Sequence, residues 1–201
     1  MNFLVHFLLS GDDEELRLGN LLGDLVKGRV ERYRHPGVTE RMRTGIQLHR
    51  TIDSFSDRHP LVGRSKRLLA PRYGRLAGVI VDVFYDHVLA RGWSRHSAQP
   101  LSAFTREVYG SFERHMTRLP TAIHPLARAM QRGDWLGSYA HIDGIDGALR
   151  GMARRTPVAA GIGTAAEELV AHQLEFEAHF EEFFPDLRMA CEAFLATRPP
   201  G

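Results

Sequence analysis

An apolar run between Pro71 and Trp93 constrains the fold more than any other feature of the sequence. Residues 79–85 of this run are mostly β-branched or aromatic, a composition that would also suit a buried strand. The run is longer than an ordinary strand, however, and no other segment alternates between apolar and polar residues as a sheet partner would. We therefore predict that the run forms a buried helix.

Apolar residues recur at helical spacing in most of the remaining sequence. A first helix is predicted over 16–26, with Gly28 as its stop, and a second after Pro36-Gly37, with Thr39 as its N-cap and an end near Asp57. Further helices are predicted over 101–116, 122–132, 145–154 and 165–184, the last continuing beyond Pro185. The expected fold class is all-α, a single irregular helical bundle that forms one domain over residues 1–201.

Composition limits the classes of protein to which the chain can belong. With 201 residues and 43% hydrophobic content it can bury one sizeable core, and a net charge of +2 does not identify a nucleic-acid binder. The single Cys191 cannot form an internal disulfide, and we interpret it as a buried structural residue. Residues 3–9 lack the basic leader of a signal peptide, and no apolar stretch is long enough to span a bilayer. We expect a cytoplasmic protein with no membrane partner.

Three of the predicted helical segments carry polar residues four positions apart, a spacing that places both side chains on one helical face. Asp57 would extend the second of these rows, His87 directly follows the third, and His6 adds a candidate near the start of the chain. The rows are Asn20 with Asp24, His49 with Asp53, and Asp82 with Asp86.

The apolar surroundings of these acids indicate a shared metal site. Asp24 lies among leucines, and Asp82 and Asp86 interrupt the apolar run. A carboxylate in such surroundings costs several kcal/mol unless a basic side chain or a metal ion compensates it. Converging carboxylates would repel one another, and most arginines fall on predicted outward faces, so we favour a divalent cation. A mixture of histidine and carboxylate ligands suits manganese, iron or zinc better than calcium.

A series of short motifs occurs along most of the chain. They are Met1-Asn2-Phe3-Leu4-x-His6, Gly19-Asn20-Leu21-Leu22-x-Asp24, His49-Arg50-x-Ile52-Asp53, Asp82-Val83-x-x-Asp86-His87, Trp93, Trp135-Leu136-x-x-Tyr139 and Gly151-Met152-Ala153-x-Arg155. This series resembles that of the acyl carrier protein phosphodiesterases. No single motif is decisive, but the order and spacing of the motifs make coincidence improbable.

The resemblance implies a fold, an activity and a set of site residues. The family is similar to the helical HD-type metal phosphohydrolases, although the His-Asp order is reversed here, and it is described as manganese-dependent. Its members remove 4'-phosphopantetheine from holo acyl carrier protein and leave the apo protein. The positions implied as metal-binding or catalytic are Asp24, His49, Asp53, Asp82, Asp86 and His87.

The expected chemistry is attack of a metal-activated water on the phosphodiester. Asp53, Asp57 or Asp86 could orient this water, with Asp24 a further catalytic candidate, and the sequence does not separate a ligand from a general base. Basic residues beside the site would bind the acidic carrier protein. These partner candidates are Arg41, Arg43, Arg50, Arg58, Lys66 and Arg67, within a wider cluster that includes Arg64, Arg72 and Arg75, and separately Arg154 and Arg155.

Two other functions are compatible with parts of this pattern. A helical metal-dependent phosphohydrolase acting on nucleotides would use the same ligands. A non-enzymatic helical module could bind RNA or DNA through the arginine-rich surface, but its basic residues are not interleaved with aromatics and the apolar-embedded carboxylates would have no role. We therefore expect no nucleic-acid partner.

Overall fold

The computed structural model of the chain describes residues 1–155 and 157–198, and over these residues it is helical without a strand. The predicted all-α class is confirmed. Short 3-10 turns connect several of the helices, and a longer one, Pro157–Thr164, follows α9. The helices are α1 (Phe3–Leu9), α2 (Glu14–Leu22), α3 (Glu40–Arg58), α4 (Pro60–Tyr73), α5 (Ala77–Arg91), α6 (Leu101–His115), α7 (His124–Arg132), α8 (Trp135–Ser138), α9 (Ile142–Arg155), α10 (Ala166–Ala171) and α11 (Gln173–Ala196).

Helix α5 is the predicted buried helix, and it lies at the centre of the core. Its side chains are buried on nearly every face, as expected for a helix that is hydrophobic all round. Phenylalanines of α11 cover one side of it: the ring of Phe176 lies 5.0 Å from that of Phe84, and the ring of Phe180 lies 5.2 Å from that of Tyr85. Helix α5 also packs against α1, α4 and α9.

Helices α2 and α3 pack unusually close together. A Cβ atom at Gly19 would lie 2.1 Å from the carbonyl oxygen of Met42, and one at Gly45 would lie 2.4 Å from that of Leu16. The absence of both side chains lets the two backbones approach, and this places Asn20 beside His49. Helix α3 begins as predicted, because Oγ1 of Thr39 accepts a hydrogen bond from the amide of Met42 at 3.1 Å.

Several predicted boundaries were wrong. Helix α2 ends at Leu22 instead of near Val26, because the amides of Leu25 and Val26 both donate to the carbonyl of Leu22 and form a turn. The apolar run is divided at Gly74, whose φ of 53° favours glycine. The segment predicted over 165–184 is divided between α10 and α11, and α11 does continue through Pro185.

The structure also bears on Cys191, on membrane-spanning helices and on helices that the sequence did not predict. Cys191 is buried, as predicted. Among the helices of the described residues, none combines the length and apolar character needed to cross a membrane. Helices α1 and α4 were not predicted from the sequence, and both contribute to the surroundings of the candidate site.

Candidate metal centre

Two histidines and one aspartate meet where α1, α2 and α3 come together. Nε2 of His6 lies 3.3 Å from Oδ1 of Asp53, and Nε2 of His49 lies 3.1 Å from Oδ2 of the same carboxylate. The two imidazole rings are stacked, with centroids 4.1 Å apart and an interplanar angle of 16°. One ligand atom from each residue falls within 4.8 Å of the others, so the three could hold a metal ion.

Asn20 determines the orientation of both imidazoles. Its Nδ2 donates to the carbonyl of His6 at 3.2 Å and to Oγ of Ser10 at 2.7 Å, which directs its Oδ1 towards Nδ1 of His6 at 2.9 Å. Its backbone carbonyl accepts from Nδ1 of His49 at 3.0 Å. Both histidines therefore carry a proton on Nδ1, and both direct Nε2 towards Asp53. A second hydrogen bond of this kind commonly orients a metal-binding histidine.

The atoms around Nε2 of His6 fit a bound cation. With its proton on Nδ1, a neutral His6 directs a lone pair at Oδ1 of Asp53 and at the carbonyl oxygen of Met1, which lies 3.2 Å away. Three acceptors that face one another repel unless a proton or a cation lies between them. Nitrogen and oxygen donors together suit manganese, iron or zinc.

Protonated groups balance the carboxylates in this structure. The Met1 amino group lies 3.0 Å from Asp53 and 3.4 Å from Asp82, and although burial opposes its charge, these carboxylates raise its pKa. Burial likewise opposes a charge on His49, but the carboxylates of Asp24 and Asp53 beside it raise its pKa to about 9. A cation bound at Nε2 of His49 would have to displace that proton.

The remaining buried groups respond to the same arrangement. Burial and repulsion by His49 lower the pKa of His6 to about 4, so His6 is neutral at physiological pH. Burial opposes the charge of Asp53, yet the hydrogen bond from His49 and the nearby Met1 amino group lower its pKa. The Asp53 carboxylate is thus anionic, 39% exposed, and accessible from one side. Burial raises the pKa of Asp82.

Asp24 and Asp57 lie at the exposed edge of the cluster. The side chain of Asp24 is 71% exposed, and its Oδ1 lies 3.7 Å from Nε2 of His49, which lowers the pKa of Asp24. The expectation that Asp24 is embedded in apolar residues was wrong, because α2 ends before this position. Asp57 is also exposed, near the end of α3, and pairs with Nζ of Lys66 at 2.8 Å.

Asp86 and His87 lie outside the His6–His49–Asp53 cluster. The carboxylate of Asp86 accepts hydrogen bonds from the first amides of α1, that of Leu4 at 2.7 Å and that of Val5 at 3.0 Å. His87 donates from Nδ1 to the carbonyl of Tyr139 at 2.8 Å, and its Nε2 is buried without a hydrogen-bond partner. Asp86 thus anchors the helix that carries His6.

A cavity of about 970 Å³ opens from the cluster. Asp24, His49, Asp53 and Asp82 line one end of it. Its remaining walls come from α5, α7, α8 and α9, and Arg154 and Arg155 also line it. A second groove of about 490 Å³ shares Asp57, Val79 and Asp82 with the cavity. It is basic, lined by Lys66, Arg67 and Arg75.

Three of the eight predicted partner residues bind loops of their own chain and line neither groove. Arg41 pairs with Asp13 at 2.7 Å, Arg43 donates to the carbonyl of Tyr33 at 2.6 Å, and Arg50 donates to that of Val26 at 2.7 Å. These three stabilise loops around α3. Arg58 is exposed near the end of α3. The residues that face a groove are Lys66, Arg67, Arg154 and Arg155.

Sequence reasoning missed the role of Asn20 and the contribution of Gly23. Asn20 was noted only as the partner of Asp24 at helical spacing. A Cβ atom at Gly23 would lie 2.1 Å from Cγ of His49, so the glycine leaves space for this ring. The available signal was a polar residue in the apolar sequence of α2, followed three residues later by a glycine.

The fold and the site define an all-α protein with a histidine–carboxylate centre at one end of a cavity. Comparison with known sequences narrows this class. The sequence model of the acyl carrier protein phosphodiesterase family matches residues 1–187, and the chain belongs to this family.

Individual relatives of the same name align with the chain over almost their full length. The chain is similar to an acyl carrier protein phosphodiesterase of Photorhabdus laumondii, 32% identical over 186 residues, which are 92% of each protein. It is also similar to one of Escherichia coli O157:H7, 34% identical over 197 residues, which are 96% of this chain and 97% of the relative. No solved structure matches the chain.

Proposed function

We propose that this protein hydrolyses the phosphodiester that joins 4'-phosphopantetheine to a serine of holo acyl carrier protein. The products are apo acyl carrier protein and free 4'-phosphopantetheine. The observation that carries the proposal is the convergence of His6, His49 and Asp53 at one end of a cavity, in a chain of this family.

The balance of the reaction defines what the site must do. A water oxygen forms a bond to phosphorus while the bond between phosphorus and the serine oxygen breaks. One proton of the water goes to a base, and the departing serine oxygen receives a proton. The reacting group is an anion, so the site needs positive charge beside the phosphorus and a base that is ionised at neutral pH.

We propose that His6, His49 and Asp53 hold a divalent cation, with Asp24 and Asp82 as further ligand candidates and Mn²⁺ as the expected ion. The support is the mixed nitrogen and oxygen donor set, with both Nε2 atoms directed at the same carboxylate. When bound, such a cation supplies Lewis acidity that lowers the pKa of water and stabilises charge on the phosphoryl oxygens.

Asp24 is the best placed general base. The nearby His49 keeps its pKa low, so it is ionised at neutral pH, and its exposed side chain lines the cavity. Asp57 has the same access, but Lys66 neutralises its charge. Both carboxylate oxygens of Asp86 accept hydrogen bonds from backbone amides, and we assign to this residue the role of holding α1 in place. Asp53 joins the two histidines.

The basic groove is the proposed docking surface for the carrier protein. Lys66, Arg67 and Arg75 line it, and it meets the cavity at Asp57, Val79 and Asp82. An acidic partner bound there would be steered by charge and would present its modified serine at this junction. Arg41, Arg43 and Arg50 are excluded from this role because they bind loops of their own chain and line neither this groove nor the cavity.

The direct test is to incubate the pure protein and Mn²⁺ with holo acyl carrier protein and to measure the intact mass of the carrier. We expect the carrier to lose the mass of the phosphopantetheinyl group. An Asp53→Asn variant should leave the carrier unchanged, because an amide provides neither the charge nor the second acceptor. Unchanged carrier mass with the wild-type protein would contradict the proposal, and turnover of nucleotides under the same conditions would support the nucleotide phosphohydrolase instead.

A further inference from the structure

The walls of the cavity away from the cluster differ in character from the metal centre. Val79 and Val83 of α5 line this space together with Leu126, Trp135 and Met152, and the charged residues of α9 that line it are Arg154 and Arg155, with no carboxylate. Such a combination of apolar walls and few polar groups is typical of pockets for small organic ligands, and a volume of about 970 Å³ would admit one of considerable length.

Helix α9 lines the cavity with residues that have little or no side chain: Gly144, Gly147, Ala148 and Gly151. A Cβ atom at Gly147 or Gly151 would meet no atom within 4 Å, and neither residue has a positive φ. Neither close packing nor backbone conformation therefore requires glycine at these two positions. Each costs about 1 kcal/mol of helix stability relative to alanine. What they do provide is open space along the cavity.

Asn2 provides an independent indication that a ligand binds in the cavity. Its side chain is only 8% exposed, it lines the cavity, and its Nδ2 makes no hydrogen bond within the protein. The Asn2 side chain lies beside the hydroxyl of Tyr139, another lining residue, but the two do not meet the geometry of a hydrogen bond. A buried amide donor without an acceptor is unfavourable by about 1–3 kcal/mol. A ligand carbonyl would satisfy it.

We propose that this cavity binds the pantetheine arm of the substrate, with Gly147 and Gly151 as its floor and Asn2 donating to an amide carbonyl of the arm. This inference rests on the proposed function. The pantetheine part is an uncharged flexible chain with a dimethyl branch and two amides, and it matches the apolar walls and the buried neutral donor of Asn2.

The positions of the two grooves give the substrate a direction. The basic groove accepts the carrier protein, the cavity accepts the arm, and the phosphodiester lies where they share Asp57, Val79 and Asp82. The acidic surface of a carrier protein has no counterpart in the apolar walls, so the reverse arrangement is disfavoured.

The test uses Gly147→Leu and Gly151→Leu, each of which fills the cavity with a residue of high helix propensity. We expect KM for holo acyl carrier protein to rise about tenfold or more, the loss that corresponds to removing one good apolar contact region. Inhibition by free pantetheine should weaken to a similar extent. Inhibition by apo acyl carrier protein, which lacks the arm, should remain at the wild-type level, as should the affinity for Mn²⁺.

Gly161→Leu is the matched control. Gly161 is exposed, has open space around its Cβ position, lacks a positive φ and does not line the cavity. This variant should keep the wild-type KM. If both cavity variants also keep the wild-type KM while the wild-type protein removes the prosthetic group, the arm binds elsewhere and only this inference fails. If the wild-type protein removes no prosthetic group at all, the proposed function itself fails.

Discussion

Oδ1 of Asn20 accepts a hydrogen bond from Nδ1 of His6 at 2.9 Å, and this contact fixes which nitrogen of the histidine faces Asp53. The amide group of Asn20 cannot be reversed, because its Nδ2 is bound to two other acceptors. The backbone carbonyl of the same residue binds His49. One asparagine thereby presents both Nε2 atoms to Asp53.

An Asn20→Ala substitution should therefore weaken metal binding without removing a ligand. We expect the affinity for Mn²⁺ to fall about 10- to 100-fold, the usual effect of losing a residue that orients a ligand. Isothermal titration with Mn²⁺ measures this directly. Gln47→Ala, which removes an exposed amide that binds Glu31, is the control and should titrate like the wild type.

A Gly23→Ala substitution should displace the ring of His49. The added Cβ would lie 2.1 Å from Cγ of that ring, and the side chain cannot stay in place. We expect the affinity for Mn²⁺ to fall about tenfold or more, as for other losses of ligand orientation. Gly161→Ala, with open space around its Cβ position, should bind the ion normally. Wild-type affinity of Gly23→Ala for Mn²⁺ would contradict the proposal that His49 is a metal ligand.

Asp86→Ala should destabilise the fold. It leaves the amides of Leu4 and Val5 buried without an acceptor, and we expect the free energy of unfolding to fall by about 2–4 kcal/mol. Denaturant titration of the metal-free protein measures this change. Asp86→Asn keeps an acceptor and should lose less. Equal stability of the wild type and Asp86→Ala would contradict the anchoring role of this residue.

The same carboxyl predicts a dependence of stability on pH. Burial raises the pKa of Asp86 to about 7 in the folded protein, whereas the unfolded value is about 4. The folded state thus holds a proton that the unfolded state has released, and the contribution of Asp86 to stability falls as pH rises through this window. With EDTA present, the free energy of unfolding of the wild type, relative to that of Asp86→Asn, should decline as pH rises from about 4 to about 7. A constant difference would contradict the raised pKa.

Charge reversal in the basic groove should weaken association with the carrier protein. For Arg67→Glu and Arg75→Glu we expect several-fold higher KM for holo acyl carrier protein, with a weaker dependence on salt, because exposed charges are screened at physiological ionic strength. Steady-state kinetics over a series of salt concentrations tests this. Arg106→Glu, an exposed arginine of α6 that lines neither groove, is the control. A wild-type KM that does not change with salt would exclude the groove.

Periodicity predicted the helical class, the central helix α5 and the cap at Thr39, because each depends on residues close in sequence. The end of α2 was mispredicted. The turn that follows Leu22 includes Gly23, which packs against the ring of His49, and this contact joins residues distant in sequence. The sequence also suggested only a basic side chain or a metal as partner for Asp86. The structure supplies a third kind, the amides at the start of α1, more than 80 residues away.

In the candidate site, too, contacts between residues close in sequence were predictable, and contacts between distant residues were not. The row of His49 and Asp53 lies within one helix and was predicted from spacing. The convergence of His6 on that row depends on how α1 packs against α2 and α5, which spacing does not encode. The assignments of Asp82 as a ligand and of His87 to the site stay predictions, as does a single domain over residues 1–201 and a cytoplasmic location.

The most direct measurement is anomalous diffraction from a crystal of the protein grown with Mn²⁺. We expect a manganese peak within bonding distance of Nε2 of His6, Nε2 of His49 and a carboxylate oxygen of Asp53. A peak elsewhere, or no peak while Nε2 of His49 stays within hydrogen-bonding distance of Asp53, would contradict the proposed metal centre.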